Sequence, residues 1–257
     1  FLIAAAHRIA KRVAQARTGD DEPAPADHRQ ALRDVIGRCL FGVDKNEMAV
    51  ELCKVSLWLE SLTSGQPLSF LDDRILVGDA LLGATPALLR QPLPAEAFDA
   101  IGDDDKALAR NLKAKNRDET LKQKNVDEAA KAQAQLNFAV GAAGGVGYAD
   151  LTREARNLDA LDDRSIAGVR AKEAGYRRLH DSPEYLKARL AADAWCAAFV
   201  WPKKKTEPEG LTTGTIRGLV RGEAVLSSEQ ARTVERLRRQ YAFFHWCVEF
   251  PQVFEVK

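Results

Sequence analysis

Two aspartates, each at the end of a short apolar run, have the types and positions best suited to ligand chemistry. Residues 39–43 lead into Asp44, and residues 74–78 lead into Asp79. Short apolar runs of this kind are typical of buried parallel strands. In an open α/β sheet, an acid at the carboxyl end of a strand faces the ligand crevice and can accept hydrogen bonds from both ribose hydroxyls. We therefore predict that Asp44 binds a ribose and that Asp79, at the same edge, accepts a hydrogen bond from an adenine amino group.

Asp44 also has a simpler interpretation, as a surface or helix-capping carboxylate. The presence of two acids on adjacent strands favours a nucleoside ligand over this alternative. Dehydrogenases and methyltransferases both use such acids, so the pattern by itself leaves NAD and S-adenosylmethionine open.

The segment between the two predicted strands has the features of a helix. Asn46 can cap it, the apolar positions from Ala49 to Leu59 form a wide face, and Gly65 and Pro67 end it. A strand, a helix and a strand in this order indicate a β-α-β unit with a right-handed connection. The predicted fold class is α/β: a partial doubly wound, Rossmann-like sheet with a large, mostly α-helical insertion.

The remainder of the chain divides by composition into three predicted regions. Residues 1–94 contain the two strands and an amphipathic helix from Leu2 to Ala16. Residues 95–240 are rich in Ala, Lys, Glu, Gln and Arg, which predicts a helical insertion that contacts DNA or a partner. Residues 241–257 are predicted to return to the core.

Two stretches of the insertion carry particular predictions. Residues 103–135 are strongly charged and only modestly amphipathic, which predicts a helical hairpin in solvent or a mobile arm. Gly141 to Gly147 contains four glycines and is expected to break the helices. No apolar strand precedes these glycines, which argues against a phosphate-binding loop.

The amino-acid composition and the net charge are those of an ordinary globular protein. The 257 residues are 46% hydrophobic and 29% charged, with 38 basic and 37 acidic side chains and a formal net charge of +1. A charge so near zero gives no general attraction to phosphate. Any nucleic-acid surface must therefore be a local patch.

The cysteines and the longest apolar stretch bear on cellular location. The four cysteines are far apart, without a Cys-x-x-Cys pair or a histidine at zinc-ligand spacing. This predicts reduced thiols, no metal site and a cytoplasmic protein. The longest apolar stretch, residues 191–201, contains Asp193 and is too short to span a bilayer, so no membrane partner is predicted.

A local basic patch lies between residues 203 and 239, where nine basic residues outnumber five acids. Its predicted contacts to DNA phosphates are Arg232, Arg236, Arg238 and Arg239. The alternative is that these arginines only form a solvated helix face.

A histidine and a tryptophan near the end of the chain invite catalytic or base-stacking roles. His245 and Trp246 lie close in sequence to Phe243, Phe244 and Phe250. A His-Trp pair beside several phenylalanines is more typical of core packing than of a catalytic site. We therefore assign the pair to the core and expect Glu249 to be structural as well.

The strand motifs resemble those of a known family. Residues 41–53 (FGVDKNEMAVELC) with residues 56–60 (SLWLE) resemble the second methyltransferase motif of large adenine-specific DNA methyltransferases from bacterial restriction-modification and phage-defence systems. Residues 75–81 (ILVGDAL) resemble the third motif of the same enzymes.

The two ends of the chain extend the resemblance. Residues 244–246 (FHW) and 249–254 (EFPQVF) resemble the segment that precedes the catalytic Asn-Pro-Pro-aromatic motif of the family. Phe1 and Leu2, followed by a helix of small residues, resemble what comes directly after the glycine-rich first motif. The resemblance is close over residues 1–94 and 241–257 and only general between them.

The family resemblance implies an enzyme that transfers a methyl group from S-adenosylmethionine to the exocyclic amine of a flipped adenine in double-stranded DNA. It implies that Asp44 binds the cofactor ribose, that Lys45 flanks the adenine ring, and that Asp79 and Ala80 meet the adenine amino edge. Other subunits of a defence system are implied as further partners.

Neither the glycine-rich first motif nor an Asn-Pro-Pro-aromatic tetrapeptide occurs in the sequence. We therefore expect an internal part of a longer gene product, with no catalytic residue of its own, that alone neither holds the cofactor tightly nor transfers a methyl group. Two other hypotheses remain open: a non-catalytic helical module that binds DNA or a partner subunit, and a nicotinamide-dependent dehydrogenase. The tryptophan in the second motif and the terminal Phe-Pro segment disfavour the dehydrogenase.

Overall fold

The computed structural model describes residues 1–134 and 147–254, which are mostly helical and contain a parallel pair of strands. In chain order the elements are α1 (Leu2–Thr18), α2 (Pro25–Arg38), β1 (Gly42–Asp44), α3 (Glu47–Glu60), β2 (Ile75–Val77), α4 (Pro86–Leu89), a 3-10 turn (Ala95–Phe98), α5 (Lys106–Ala134), α6 (Tyr148–Asp159), α7 (Ile166–His180), α8 (Pro183–Phe199), α9 (Thr213–Arg221), α10 (Ser228–Tyr241) and α11 (Trp246–Glu249).

The chain forms two compact units. Unit 1 contains Phe1–Ala80 and Arg153–Asp181, and unit 2 contains Leu81–Thr152 and Ser182–Lys257. The end of α6 and the whole of α7 therefore belong to the same unit as the strands, and the division into regions 1–94, 95–240 and 241–257 stays a prediction.

Unit 1 is built on a β-α-β element. Strands β1 and β2 are parallel, with Val43 opposite Leu76 and Asp44 opposite Val77. Helix α3 connects them and buries Val50 and Leu57 against α1, α2 and β2. A parallel pair needs a crossover of this kind, because a tight hairpin can join only antiparallel strands.

Helices α1 and α2 pack closely because the contact face of α1 is made of small residues. Ala6, Ala10 and Ala14 recur every four residues and are at most 1% exposed. Their spacing places them on one face of the helix, where a small side chain lets the neighbouring backbone approach. Leu32 and Ile36 of α2 lie in the same apolar cluster.

A buried polar network joins the start of β2 to α6 and α7. The guanidinium of Arg74 is fully buried, hydrogen-bonds the carboxylate of Asp159, and lies 4.6 Å from the ring centre of Phe41. The ammonium of Lys172, also buried, lies 3.8 Å from Asp73. Burial raises the pKa of Asp73, although Arg74 and Lys172 oppose the effect.

Unit 2 has its core around α8, which is unusually rich in buried alanine. Its buried alanines occupy several faces of the helix, so neighbouring elements can pack around it. The large side chains that fill the surrounding space include Phe98, Trp201, Ile216 and Leu237, all at most 2% exposed. These four and the α8 alanines from Ala191 to Ala198 form one apolar cluster.

Within the charged segment 103–135, residues 106–134 form one long helix, α5, rather than a helical hairpin. Ala109, Leu112 and Asn116 on its first half are buried in unit 2. The side-chain amide of Asn116 fixes this packing, because it donates to Leu93 O and accepts from the backbone and hydroxyl of Thr213.

Several predictions about the fold are confirmed and others stay open. The parallel β-α-β element and the helical character of the described residues between 95 and 240 are as predicted. The described residues contain no third strand, so the doubly wound sheet stays a prediction. The glycine-rich stretch after Gln135 lies almost wholly outside the described residues. Among the helices that the structure describes, none is long and apolar enough to cross a membrane.

Candidate functional site

Asp44 ends β1 at the carboxyl edge of the parallel pair. Its backbone carbonyl accepts a hydrogen bond from the Gly78 N–H at 2.9 Å, which continues the strand pairing beyond Val77. Its carboxylate is exposed, and Oδ1 accepts the backbone N–H of Asn46 at 2.8 Å. Asp44 is therefore a surface carboxylate that stabilises the turn before α3, whereas the cap of the helix is Asn46. A carboxylate has about four acceptor positions, so this bond leaves capacity for a ligand hydroxyl.

Asn46 turns the chain from the strand edge into α3. Its side-chain oxygen accepts the N–H groups of Met48 and Ala49 at 3.0 and 3.4 Å. These two donors have no partner inside the helix, so the cap stabilises the first turn. Helix α3 therefore begins three residues after Asp44, with its cap at Asn46.

Lys45 and Asp79 meet at the same edge. The Lys45 ammonium lies 3.3 Å from Asp79 Oδ2, and the two side chains are 60% and 21% exposed. Ala80 follows on the exposed surface. The structure thus brings together the predicted ligand residues Asp44, Lys45, Asp79 and Ala80, which come from the ends of two strands about 35 residues apart in the chain.

The chemistry available at this edge is hydrogen bonding and charge, without a nucleophile or an acid-base pair. Two carboxylates can accept hydroxyl or amino hydrogens, and the ammonium can lie beside a ring. Among the described residues, no group of three or more His, Cys, Asp or Glu side chains is arranged to hold a metal ion. The edge therefore offers hydrogen-bond acceptors and one ammonium group to a polar ligand.

The predicted DNA contacts on α10 are largely engaged within unit 2. Arg236 pairs with Glu207 at 3.0 Å, and Arg238 and Arg239 both pair with Glu235 at 2.9 and 2.6 Å. Hydrogen bonding from Arg238 is the main reason that the pKa of Glu235 falls to about 2. The remaining arginine, Arg232, donates to the carbonyl of Ser228 and is exposed. These pairs reduce the positive field that the sequence predicted for the patch.

His245 belongs to the core, as predicted. It is 1% exposed, its Nδ1 accepts the Ala84 N–H at 3.0 Å, and its Nε2 lies 3.0 Å from Asp193 Oδ1. Because Nδ1 is an acceptor, the proton is on Nε2 and is donated to Asp193. Both ring nitrogens therefore have structural partners. Gly83 allows this approach, since a Cβ there would lie 2.0 Å from the carbonyl oxygen of Phe244.

Trp246 and Glu249 are also packed in unit 2. The Trp246 ring contacts Phe244 and Phe250 at centre distances of 5.2 and 5.7 Å. The Tyr185 hydroxyl lies 2.8 and 3.0 Å from the two carboxylate oxygens of Glu249, and burial raises the pKa of this carboxyl. The expectation of a structural role is consistent with these contacts.

Sequence reasoning missed a groove in unit 2 between α5 and the segment before it. The groove has a volume of about 490 Å³, an apolar floor that includes Leu93 and Ala114, and three cations from one face of α5. The cations are Arg110, Lys113 and Arg117. No acid among the described residues lines the groove, although Asp99 pairs with Lys113 at 2.9 Å. The spacing of these cations along a helix could have predicted a basic face in the sequence. The many acids elsewhere in the segment made the segment as a whole look mixed in charge.

Comparison of this chain with models of protein families, with curated proteins and with solved structures finds no match.

Proposed function

We propose that this chain is part of an adenine-specific DNA methyltransferase, acting in restriction-modification or phage defence. The observation that supports the proposal is the edge formed by Asp44, Lys45 and Asp79 at the carboxyl ends of two parallel strands. Open α/β sheets bind nucleosides outside the carboxyl ends of their strands. The doubly wound methyltransferase sheet, of which β1 and β2 would be two neighbouring strands, is part of this proposal, as is a cytoplasmic location.

The donor set suits the nucleoside part of S-adenosylmethionine. The exposed Asp44 carboxylate would accept the ribose hydroxyls, and the Lys45 stem would lie against the adenine ring. Asp79 and Ala80 would meet the adenine amino edge. When bound, the cofactor supplies an activated methyl group, and the residues of this chain orient its nucleoside. The catalytic asparagine of such enzymes has no counterpart in this sequence.

Cofactor binding by the complete gene product is the direct test. Isothermal titration would measure the affinity for S-adenosylmethionine of the natural protein, of Asp44→Ala, and of Glu47→Ala, a neighbouring exposed acid, as the matched control. Loss of a charged hydrogen-bonding partner costs about 1.5–3 kcal/mol, so we expect affinity to fall roughly 10- to 150-fold in Asp44→Ala and to stay unchanged in the control.

The same titration distinguishes a methyltransferase from a nicotinamide-dependent dehydrogenase. Binding of NAD in place of S-adenosylmethionine, with the same sensitivity to Asp44→Ala, would replace the methyltransferase proposal with a dehydrogenase. Absence of binding by either cofactor would remove the enzyme proposal altogether.

A second candidate function is a non-catalytic helical module that binds double-stranded DNA, and the groove on α5 favours it. Arg110, Lys113 and Arg117 lie at positions i, i+3 and i+7 of a helix, so they project from one face over about 10 Å of its length. A row of cations on one helix face suits a run of backbone phosphates, which would compete with the exposed acids Asp99 and Asp118 for Lys113 and Arg117.

Salt-dependent DNA binding tests the second candidate. The affinity of the chain for a DNA duplex would be measured by fluorescence anisotropy at several salt concentrations. Replacing the three groove cations by alanine should lower the slope of log affinity against log salt by about 3, because the slope falls by about 1 for each phosphate that a cation no longer neutralises.

A matched triple variant, with Arg232, Arg236 and Arg239 replaced by alanine, compares the two cationic faces. Two cations of each face have carboxylate partners. We expect a smaller decrease of slope from α10 because the acids paired with Arg236 and Arg239 are 28% and 41% exposed, whereas those paired with the α5 cations are 61% and 62% exposed, and more exposed pairs are weaker. Equal decreases of slope from both faces would mean that the α10 arginines contact DNA phosphates as well. DNA binding that does not depend on salt, or no binding, would exclude this module.

A further inference from the structure

Helix α3 carries a second apolar face that nothing in the described chain covers. Met48, Leu52, Val55 and Leu59 lie on it, and Leu62 continues the row just past the helix end. Their exposed fractions are 66%, 59%, 46%, 65% and 57%. The steps of four and three residues keep the row on one side, as in the seam of a paired helix.

This row is distinct from the face that α3 turns to its own core. Val50 and Leu57 are at most 1% exposed and lie in the apolar cluster of unit 1. At 100° per residue, their side of the helix is nearly opposite to the centre of the exposed row. Folding of unit 1 therefore explains the buried face and leaves the exposed row without a partner inside the described residues.

The row is large enough to form an interface. Five side chains exposed by about half or more leave on the order of 500 Å² of apolar surface in one strip, a size that marks interaction sites. Two copies in contact through this strip would bury about 1,000 Å² in total, the size at which specific interfaces begin.

We propose that a second copy of this chain covers the row, with two α3 helices packed antiparallel about a two-fold axis at Val55. The exposed acids of α3 are Glu47 and Glu51 in its N-terminal half and Glu60 at its end, and Lys54 pairs with Glu51 at 2.8 Å. Antiparallel pairing about Val55 sets Glu51 beside the C-terminal half of the other copy, with Glu60 on the opposite flank of the row. Parallel pairing would bring the two acidic halves together, and like charges in contact are destabilising.

Sedimentation velocity of the chain, at concentrations from about 1 to 100 µM, tests for the pair. We expect a monomer-dimer equilibrium for the natural chain. In Leu52→Glu/Leu59→Glu the dissociation constant should rise about a hundredfold or more, because pairing would bury unpaired carboxylates. The milder Leu52→Ser/Leu59→Ser should weaken pairing in the same direction. Circular dichroism verifies that each variant is folded.

A matched control uses two other exposed apolar residues, Ile166 and Leu186, which are 64% and 43% exposed. Ile166→Glu/Leu186→Glu makes the same chemical change away from α3 and should leave the dimer intact. A natural chain that remains monomeric at the highest concentration overturns the proposal. Equal weakening by the control variant also overturns it.

Cross-linking determines whether the two α3 helices pack antiparallel or parallel. In a chain whose native cysteines are replaced by alanine, Val55→Cys lies at the two-fold axis and should join two copies through a short bismaleimide. Met48→Cys lies seven residues from the axis, so the antiparallel pair separates its two copies by about 21 Å and it should not cross-link. Cross-linking of Met48→Cys as efficient as that of Val55→Cys would indicate parallel helices and contradict the proposal.

Discussion

At the scale of single residues, the turn after β1 links a candidate ligand group to a helix cap. Asp44 accepts the backbone N–H of Asn46, and Asn46 in turn caps the first turn of α3. One carboxylate thus orients the residue that begins the helix while facing the edge of the sheet. The position of the candidate ligand residues therefore depends on the stability of this cap.

Removal of the cap gives the first prediction. Asn46→Ala should lower the free energy of unfolding by about 1 kcal/mol, because two N–H groups at the start of α3 lose their acceptor. Urea unfolding followed by circular dichroism measures the change. Asn46→Asp keeps an acceptor at the same place and should stay within about 0.5 kcal/mol of the natural chain. Equal destabilisation of the two variants would mean that the cap is not the stabilising interaction.

Glu249 gives a prediction about pH. Burial raises the pKa of its carboxyl in the folded chain above the unfolded value, despite the Tyr185 hydroxyl. Between these two pKa values the folded chain holds a proton that the unfolded chain has released, so stability falls as pH rises through this window. Glu249→Gln keeps a hydrogen-bond acceptor and removes the titration.

The measurement for Glu249 is the urea midpoint as a function of pH. The variant should gain stability relative to the natural chain as pH rises from about 4 to 7. Glu184→Gln, an exposed glutamate in the first turn of α8, is the control and should show no such trend. A relative stability of Glu249→Gln that does not change with pH would contradict the prediction.

At the scale of elements, the attachment of α6 and α7 to unit 1 depends on charged groups and not on an apolar seam alone. Arg74 hydrogen-bonds Asp159 of α6, and Lys172 of α7 lies beside Asp73. Arg33 of α2 adds a hydrogen bond to the carbonyl of Asp163 at 3.3 Å. Such buried groups need their partners, since each is costly to leave alone away from water.

The attachment is tested by removing its central cation. Arg74→Ala removes the hydrogen-bond donor to the Asp159 carboxylate and leaves the buried Asp73 with Lys172 alone, so it should lower stability by about 3–5 kcal/mol. Hydrogen exchange followed by mass spectrometry should show the largest decrease of protection in residues 153–181.

Arg164 is the matched control because it lies in the same segment but is half-exposed, with Asp34 at 3.5 Å. Arg164→Ala should change stability by no more than about 1 kcal/mol. A decrease of protection in residues 153–181 as large as that of Arg74→Ala would show that surface pairs hold the segment.

At the scale of the whole molecule, the chain passes between its two units three times. The passages follow residues 80, 152 and 181, so unit 1 contains two separate stretches of sequence. Each unit has its own apolar cluster, one around Leu57 and one around Leu237. A unit with its own core is expected to respond as a unit when that core is damaged.

Matched core truncations test this division. Leu57→Ala and Leu237→Ala should each destabilise by about 2–5 kcal/mol, because both side chains are at most 2% exposed. Hydrogen exchange should show decreased protection mainly in unit 1 for the first variant and mainly in unit 2 for the second. A uniform decrease over both units in either variant would mean that the chain unfolds as one cooperative body.

Much of the local structure follows from the sequence alone. The spacing of apolar residues predicts the strands that precede Asp44 and Asp79, and the helices observed as α1 and α3 are expected within a few residues of their observed ends. Asn46 marks a boundary that the structure confirms. These features depend on contacts between near neighbours, so the pattern of a short window contains the necessary information.

Only the tertiary structure decides which distant side chains meet. Arg74 and Asp159 are 85 residues apart, and His245 and Asp193 are 52 apart. The pairing of Arg236 with Glu207 likewise gives a predicted DNA contact a carboxylate partner within unit 2. A sequence lists the available charges, but packing determines their partners and exposure, and these in turn determine which charges can still meet a ligand.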